Sequence, residues 1–278
     1  MPHVTVIIPT CDRPTLLRRA VASALAQHDR VNVIVVDDAS SEPVVLDADP
    51  HASVQRLPVR SGGSSARNAG ARASTTRYIT FLDDDDELLP HAVARLRSAL
   101  ESSTLPAPVA VVGAIDEVDP RGNVVSHRSP PTMTRGQHYQ LEPIAGGFSY
   151  HCKQSLLIER ELFLAIGGFD VTFRSRVHTE LFLRLNAVCS ILGVPETTYR
   201  LHRHSGSRVS TNSTLRLKSF DQLEVKHAAT LREHPRGHAT LLRQHARVCL
   251  RDGKLMSAAA ALLRSLRVQR RGSPLSPE

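Results

Sequence analysis

Four consecutive aspartates, residues 83–86, are the side chains of this sequence with the clearest chemical role. Neighbouring carboxylates repel one another, at a cost of about 1 kcal/mol per pair at ~4 Å in water and roughly four times that near a protein surface. A bound cation removes this conflict, and oxygen ligands favour Mg²⁺ or Mn²⁺ with positions open for substrate phosphates. A solvated acidic loop is the alternative. Because the run directly follows Phe81 and Leu82, at the end of a predicted buried strand, we favour a metal site.

Two further groups carry polar side chains in suitable places. Asp37 and Asp38 follow a β-branched run and could accept hydrogen bonds from a base edge or a ribose, whereas an Asx turn that ends the strand is the alternative. Gly62 and Gly63, followed by Arg67, could present backbone N–H groups and a cation to a nucleotide. Their spacing matches neither the P-loop nor the dinucleotide fingerprint, so an ordinary helix start is an equal alternative.

The elements that would position these groups alternate regularly over the first ninety residues. Short β-branched runs are followed by turns and by segments of period 3.6, which predicts a parallel sheet with helical crossovers. The predicted strands of this part cover residues 4–8, 31–36, 54–59 and 78–82, and a further strand is predicted at residues 109–115. Two of these strands end in carboxylates. Ligands of open parallel sheets bind outside the carboxyl ends of the strands, so a site is expected at this edge.

The second half of the chain has a weaker pattern. A polar hairpin is predicted at residues 121–123, and residues 126–140, rich in Pro, Ser, Thr and Arg, are interpreted as a mobile loop over the site. The chain becomes helical again after Ser155, with a turn at residues 167–170. Residues 214–269 are helical and basic.

Composition restricts the partners. The chain has 35 basic and 27 acidic residues, a formal charge of +8, which favours anionic partners such as nucleotide diphosphates, nucleic acid or acidic lipid. Only 4% of residues are aromatic and none is Trp, so the stacking surfaces of a nucleic-acid binder are scarce and we expect no nucleic acid. The four cysteines form no C-x-x-C pair, which argues against a zinc site. No stretch approaches the ~18 apolar residues of a membrane span, so we expect a soluble, cytoplasmic protein, at most peripheral at the inner membrane face.

Five blocks of sequence, in this order, resemble the family 2 glycosyltransferases of the GT-A fold. The blocks are Val6-Ile7-Ile8-Pro9-Thr10 with Arg13-Pro14, Val35-Val36-Asp37-Asp38-Ala39-Ser40, Ala66-Arg67-Asn68-Ala69-Gly70, Tyr78-Ile79-Thr80-Phe81-Leu82-Asp83-Asp84-Asp85-Asp86 and Gly167-Gly168-Phe169-Asp170. The resemblance covers residues 3–210. It implies an α/β fold with a twisted mixed, mainly parallel sheet flanked by helices. It also implies a metal-dependent, inverting transfer of a sugar from a nucleoside diphosphate sugar to an acceptor hydroxyl.

The same motifs imply which residues bind the donor and the metal. Those expected to contact the nucleotide sugar are Thr10, Arg13, Asp38, Arg67, Asp83 and Asp84. Asp85 is expected to bind the metal, Mg²⁺ or Mn²⁺. His202, in the stretch 199–207 that resembles the family's segment near the diphosphate, is a further candidate ligand, with a basic loop as the alternative. A uridine or thymidine diphosphate sugar is the expected donor, and the sequence does not identify the acceptor.

The sequence departs from the family at the catalytic base. The family usually carries a Glu-Asp pair six to seven residues before an Arg, and here the matching Arg is Arg184 while the matching pair is Val177-His178. Glu180 is the nearby carboxylate candidate. On a helix, His178 and Glu180 are about 200° apart, so one of them is expected to be structural. We favour His178 as the base, which predicts an acid limb of activity near the ordinary imidazole pKa. A capping histidine and loss of transfer activity are the alternatives.

The predicted organisation has three regions. Residues 1–210 form the GT-A domain, residues 211–269 a helical extension and residues 270–278 a disordered tail. An apolar face over residues 258–266 favours packing of the extension as a cap or a dimer contact, since the bulky aromatics of membrane-bound helices are missing.

Two other functions stay open. A nucleotidyltransferase would share the sheet and the acidic metal site, but the Gly-rich, Lys-containing loop expected after its first strand is missing. A protein that binds a nucleotide sugar without transferring it is compatible with the altered base position.

Overall fold

The predicted strands of the first ninety residues form four parallel strands, and helices lie in two of the three connections between them. In chain order these elements are β1 (Val4–Thr10), α1 (Pro14–Leu25), β2 (Asn32–Asp37), β3 (Ala52–Arg56), α2 (Gly63–Ala73) and β4 (Tyr78–Phe81). The strands lie in the order β3-β2-β1-β4. All seven residues of β1 are buried, as expected for a central parallel strand covered on both faces. The predicted parallel sheet is therefore confirmed for this half of the chain.

The structure is a computed structural model, and it describes residues 3–203 and 212–272. Three elements of the sequence analysis fall outside the described residues. They are residues 204–207 of the stretch 199–207, the boundary between residues 210 and 211, and residues 273–278 of the expected tail.

The second half of the chain completes a mixed sheet. The added elements are β5 (Glu87–Leu88), α3 (Ala92–Glu101), β6 (Val109–Val118), β7 (Val124–Arg128), β8 (Leu156–Glu159), α4 (Arg160–Ala165), α5 (Val177–Val188) and β9 (Ser190–His202). Strand β8 pairs antiparallel with β4 and β6, and β9 runs parallel to β6. The predicted hairpin at residues 121–123 joins β6 to the antiparallel β7. A mixed, mostly parallel sheet flanked by helices confirms the expected α/β fold class.

Two predictions for this half were wrong. The segment after Ser155 begins with strand β8, before the short helix α4. Strand β9 was missed because Gly193 and Pro195 interrupt its apolar pattern. The structure accommodates Pro195 in a bulge, where the pairing with β6 shifts from Val194 opposite Gly113 to Thr197 opposite Ala114.

The segment 126–140 is also not the mobile loop that was expected. It begins in β7 and then packs against β9 and α5. The backbone of Met133 exchanges two hydrogen bonds of 2.8 Å with Ile191, and the Tyr139 amide donates to Asn186 Oδ1 at 2.9 Å. Tyr139 is fully buried. The Pro- and Ser-rich composition predicted a mobile loop because it does not show that side chains such as Tyr139 are buried.

The C-terminal extension consists of four helices that pack against the end of the sheet domain. These helices are α6 (Ser213–Lys226), α7 (Ala228–Glu233), α8 (Pro235–Arg251) and α9 (Leu255–Gly272). A second apolar cluster joins Phe220 and Leu242 of the extension to Phe173 and Leu183 of the preceding segment. Helix α8 approaches the Leu141 backbone so closely that a Cβ on Gly237 would lie 2.0 Å from the Leu141 carbonyl oxygen. The C-terminal extension therefore packs closely against the sheet domain.

Helix α9 differs from its prediction in two ways. It ends at Gly272, beyond the boundary at residue 269. Its alanines and leucines also do not share one packed face, because Ala258 and Ala261 are buried whereas Leu262, Leu263 and Leu266 are exposed. Among the described residues, no helix is long and apolar enough to cross a bilayer.

Candidate active site

The acidic run folds into a tight turn at the carboxyl end of β4. The Asp86 amide donates to the Asp83 carbonyl at 3.1 Å, which closes the turn. As a result, carboxylate oxygens of Asp83, Asp85 and Asp86 all lie within 4.8 Å of one another. An all-carboxylate set at this separation suits a hard divalent cation such as Mg²⁺ or Mn²⁺. The sequence analysis gave Asp85 as the metal ligand, and the fold brings the carboxylates of Asp83 and Asp86 close to it.

Burial makes this cluster electrostatically strained. The pKa of Asp86 is raised well above its ordinary value by burial and then by the charges of Asp83 and Asp85. Burial likewise raises the pKa of Asp84, although Thr10 donates a hydrogen bond to it. A cation held by these carboxylates would relieve the repulsion, so the residues present fit a metal.

Two arginines from neighbouring elements balance part of the negative charge. The Arg13 Nη1 lies 3.2 Å from Asp84 Oδ1 and 3.3 Å from Asp85 Oδ2. Arg67, on α2, forms an ion pair with Asp83. Burial pushes the pKa of Asp83 up, but the combined effect of Arg67, His178 and Arg13 is larger and the net pKa is lowered. The site therefore joins anionic ligands for a cation with cations for a diphosphate.

Tyr199 and His202 of β9 hold the last aspartate of the run. The Tyr199 hydroxyl donates to Asp86 Oδ2 at 2.8 Å, and the His202 amide donates to Asp86 Oδ1 at 2.9 Å. The His202 ring instead hydrogen-bonds the Glu87 carboxylate. The role of His202 as a metal ligand stays a prediction, whereas its backbone supports the cluster. Tyr199 was missed because the strand that carries it was missed.

The polar ends of β1 and β2 lie beside the acidic run. Thr10 Oγ1 donates to Asp84 Oδ2 at 2.7 Å. Asp38 accepts hydrogen bonds of 2.6 and 2.7 Å from the amides of Ser61 and Gly62, at the start of α2. The loop amides that could have bound a nucleotide are thus directed at Asp38, which fits the helix-start alternative for Gly62 and Gly63.

Asp37 is a structural residue. It is fully buried and accepts hydrogen bonds from the amides of Ser40 at 2.8 Å and Val44 at 3.3 Å. It also pairs with Arg56 at 2.5 Å. These contacts agree with the Asx-turn alternative for this residue and leave Asp38 as the carboxylate nearer to the site.

The Gly-Gly-Phe-Asp turn is locked to α2 and α5. Asn68 makes two hydrogen bonds to the Phe169 backbone. Gly168 has a φ of +63°, and a Cβ there would lie 2.5 Å from Asn68 Oδ1, so both the conformation and the space require glycine. Arg184 of α5 donates to the carbonyls of Ile166 at 2.5 Å and Gly168 at 2.7 Å. The turn and the helix are thereby held in one arrangement.

His178 lies in the first turn of α5, against the edge of Phe169 with ring centroids 5.2 Å apart. Burial and then the Arg67 guanidinium lower the pKa of His178 to about 3, against the opposing effect of Asp83. The expected titration near the ordinary imidazole pKa is therefore corrected: His178 is neutral throughout the physiological range. Because the charges of Asp83 and Arg67 both shift this pKa, the His178 ring lies within electrostatic range of the acidic run.

Glu180 lies in a different environment from the one that a base requires. Its side chain has no exposed surface, and its oxygens pair with Arg184 at 2.6 Å, Lys226 at 2.7 Å and His227 at 3.5 Å. Burial opposes ionisation, but the hydrogen bonds from these three side chains hold the pKa of Glu180 far below its ordinary range. The alternative assignment of Glu180 as the base conflicts with this arrangement, because the carboxylate is committed to linking α5 with α6.

Lys153 is a buried charged group that the sequence analysis did not single out. Its Nζ donates to Gln140 Oε1 at 2.6 Å and to the Tyr150 carbonyl at 2.5 Å. Burial lowers the pKa of Lys153 to about 7. It contributes to the lowered pKa of His178, so it lies within electrostatic range of the site. No feature of the sequence around it indicated burial.

Comparison with known proteins agrees with this geometry. Residues 5–160 match the sequence profile of the family described as "Glycosyl transferase family 2". An uncharacterized glycosyltransferase of Haemophilus influenzae is 26% identical over 238 residues, covering 83% of this chain and 79% of that protein. The succinoglycan biosynthesis protein ExoO of Rhizobium meliloti is 33% identical over 140 residues, 49% of this chain. The chain spans only 39% of the length of that second relative.

A solved structure has the same fold. The structure of S. aureus TarS 1-349 in complex with UDP-GlcNAc superposes with a TM-score of 0.58 at 15% sequence identity. The match covers 99% of this chain and 93% of that structure. At this identity the likeness establishes the fold, which extends over the sheet domain and the C-terminal helices.

Proposed function

Because the chain belongs to glycosyl transferase family 2 and is a glycosyltransferase, we propose that it moves a sugar from a nucleoside diphosphate sugar to an acceptor hydroxyl, with a divalent metal and with inversion at the anomeric carbon. The observation that carries this proposal is the convergence of Asp83, Asp85 and Asp86 within 4.8 Å beside two arginines. Carboxylates that bind a cation next to guanidinium groups form a site for a diphosphate.

The proposed donor is a uridine diphosphate sugar, with a thymidine diphosphate sugar as the alternative. Support for uridine comes from the S. aureus TarS structure, which holds UDP-GlcNAc in the same fold. The residues proposed to surround the donor are Thr10, Arg13, Asp38, Arg67, Asp83 and Asp84. In this proposal Thr10 and Asp38 lie at the carboxyl ends of β1 and β2 and contact the nucleoside part of the donor.

The proposed metal ligands come from the acidic turn, with Asp85 as the principal one and Asp83 and Asp86 beside it. A bound Mg²⁺ or Mn²⁺ would neutralise the charge that develops on the leaving diphosphate. Arg13 now contacts Asp85, so it is positioned to turn towards a phosphate when its carboxylate partner binds a cation. His202 orients Asp86 through its backbone amide.

His178 is the proposed base. Its neutral imidazole keeps a free electron pair, which can accept the proton of an acceptor hydroxyl as that oxygen attacks the sugar. Phe169 fixes one edge of the ring, and the negative charge of Asp83 favours the protonated form that follows. A protein that binds the donor without transfer is the competing function, because the lowered pKa makes His178 a weak base.

A hydrolysis assay separates these functions. The protein would be incubated with UDP-glucose, UDP-GlcNAc and dTDP-glucose, with Mn²⁺ or with a chelator, while release of the nucleotide is measured. Metal-dependent release of UDP from one donor supports the transferase. Saturable binding with no release, also in the presence of acceptor mixtures, would identify a binding protein. No binding of any donor would overturn the proposal.

We also propose the domain organisation expected from the sequence, in which residues 1–210 form the catalytic domain and residues 211–269 an extension. The ion pairs of Glu180 with Lys226 and the packing of Gly237 on Leu141 support an extension that stabilises the catalytic domain. The acceptor is not identified by these contacts.

A further inference from the structure

Helix α9 carries a stripe of exposed apolar side chains along one face. Leu255, Leu262 and Leu266 are 67, 41 and 56% exposed. Together with Ala259 they recur at the helical spacing of four, three and four residues, so they form one line of about 17 Å. Met256 and Leu263, 84 and 56% exposed, lie beside this line. Several large apolar side chains together on one face indicate an interaction surface.

The stripe is presented outward by a helix whose other face is firmly packed. Ala258, Ala261 and Ser265 are buried, and Ser265 Oγ donates to the Ala239 carbonyl of α8 at 3.0 Å. The leucines therefore do not belong to the packing between α8 and α9. They remain exposed while the helix is in place.

Positive charge surrounds the stripe. Helix α9 contains no Asp or Glu, and Arg267 and Arg270 are exposed with no acidic partner among the residues that the structure describes. Arg264 is the exception, since it pairs with Glu224. From residue 234 to 278 the sequence has nine Lys and Arg but two acidic residues, so this region accounts for most of the net charge of +8.

We propose that α9 is a docking surface for an anionic lipid bilayer. The leucines enter the headgroup region, and Arg267 and Arg270 contact the lipid phosphates. A second copy of the chain fits this face less well, because self-association would bring Arg267 and Arg270 of two helices together with no acidic residue on either α9. The sequence favoured a cap over membrane binding because bulky aromatics are missing; one face of α9 does pack on α8, but the exposed leucines of the other face favour the membrane.

Vesicle flotation tests the docking surface. Purified protein would be mixed with vesicles of phosphatidylcholine alone or with phosphatidylglycerol, at salt from about 0.1 M to about 0.5 M. We expect binding to the anionic vesicles that falls at least about tenfold at the higher salt. Leu262→Glu with Leu266→Glu, and separately Arg267→Glu with Arg270→Glu, are each expected to abolish it.

A matched control is Val124→Glu, which places a charge on an apolar side chain 56% exposed in the β6–β7 hairpin. It is expected to float like the wild type. Circular dichroism of each variant verifies that the helices persist. Absence of wild-type flotation would overturn the proposal. A wild-type dimer, measured by light scattering, that is absent in the Leu262→Glu/Leu266→Glu protein would also overturn it, because the stripe would then be a contact between two copies of the chain. Equal binding to neutral vesicles would also overturn it.

Discussion

Asn68 and Phe169 exchange two hydrogen bonds across 101 residues of sequence: Asn68 Nδ2 donates to the Phe169 carbonyl at 2.8 Å, and the Phe169 amide donates to Asn68 Oδ1 at 2.9 Å. Both residues are buried. One side chain thus satisfies both backbone groups of a residue whose ring contacts His178. The position of the proposed base therefore depends on α2.

Replacing Asn68 by Ala should destabilise the fold. The substitution leaves the buried amide and carbonyl of Phe169 without partners, and each unsatisfied group costs about 1–3 kcal/mol. Urea unfolding followed by circular dichroism would measure the loss. Asn123→Ala, in the exposed turn after β6, is the matched control and should change the free energy of unfolding by less than about 0.5 kcal/mol. Equal stability of Asn68→Ala and wild type would show that the two bonds contribute nothing.

Asp85→Asn should weaken donor binding much more than Asp86→Asn. Both oxygens of Asp86 already accept hydrogen bonds, and its raised pKa opposes its ionised form, whereas Asp85 is, with Asp84, one of the two carboxylates that Arg13 contacts. We expect a loss of roughly tenfold or more for Asp85→Asn. Isothermal titration with the donor and Mn²⁺ is the measurement. Donor affinity that is unchanged by a chelator would exclude the metal.

Stability should fall as the pH decreases from about 6.5 towards 3, in part through His178. Its pKa is about 3 in the fold and 6.5 in the unfolded chain, so in this window the unfolded state binds the extra proton. The contribution reaches about 1.4 kcal/mol per pH unit for one histidine. Buried His245, with a pKa of about 4, adds to the same trend. The test is to measure the free energy of unfolding against pH for wild type and His178→Gln. The slope between about pH 6.5 and 3 should be smaller for His178→Gln.

The same pKa changes the expected activity profile. A base that is neutral down to about pH 3 produces no acid limb near 6.5, so kcat/KM should stay level between about pH 8 and 6. His178→Ala should abolish transfer while donor affinity stays within about twofold. An acid limb of kcat/KM centred on 6.5 would contradict the lowered pKa of His178, because this profile reports the groups of the free enzyme.

Glu180→Gln is expected to act on stability. The change removes the buried charge that Arg184 and Lys226 neutralise, and breaking one member of such a cluster costs about 3–5 kcal/mol. Thermal unfolding should show a clear decrease in Tm while donor affinity is retained. A stable Glu180→Gln protein that binds donor and fails in transfer would return the catalytic base to Glu180.

Strands β1 and β2 were predictable because they consist mostly of β-branched residues. Strand β9 was not, since Gly193 and Pro195 break the pattern that a bulge accommodates in three dimensions. The burial of Tyr139 within a segment of loop-like composition depends on Asn186, 47 residues away. Contacts of this kind leave no local signal.

The chemistry of the site was more predictable than its geometry. The aspartates of the run were identified from their types and their position after a strand. The inclusion of Asp86 in the cluster depends on a turn and on Tyr199, 113 residues further along the chain. The structural role of Glu180 similarly depends on Lys226 of α6, a helix that the sequence assigned only as a basic extension.

The ion cluster around Glu180 also has a consequence for how the molecule opens. Because Lys226 and His227 follow one another at the end of α6 and both reach the Glu180 carboxylate on α5, separating these helices would leave that buried carboxylate with Arg184 alone of the three partners described above. Local opening of the extension alone is therefore disfavoured. Backbone amides of α5 and α6 should exchange with deuterium in one concerted event. Grafting a different C-terminal segment after residue 210 would require a replacement for both Lys226 and His227.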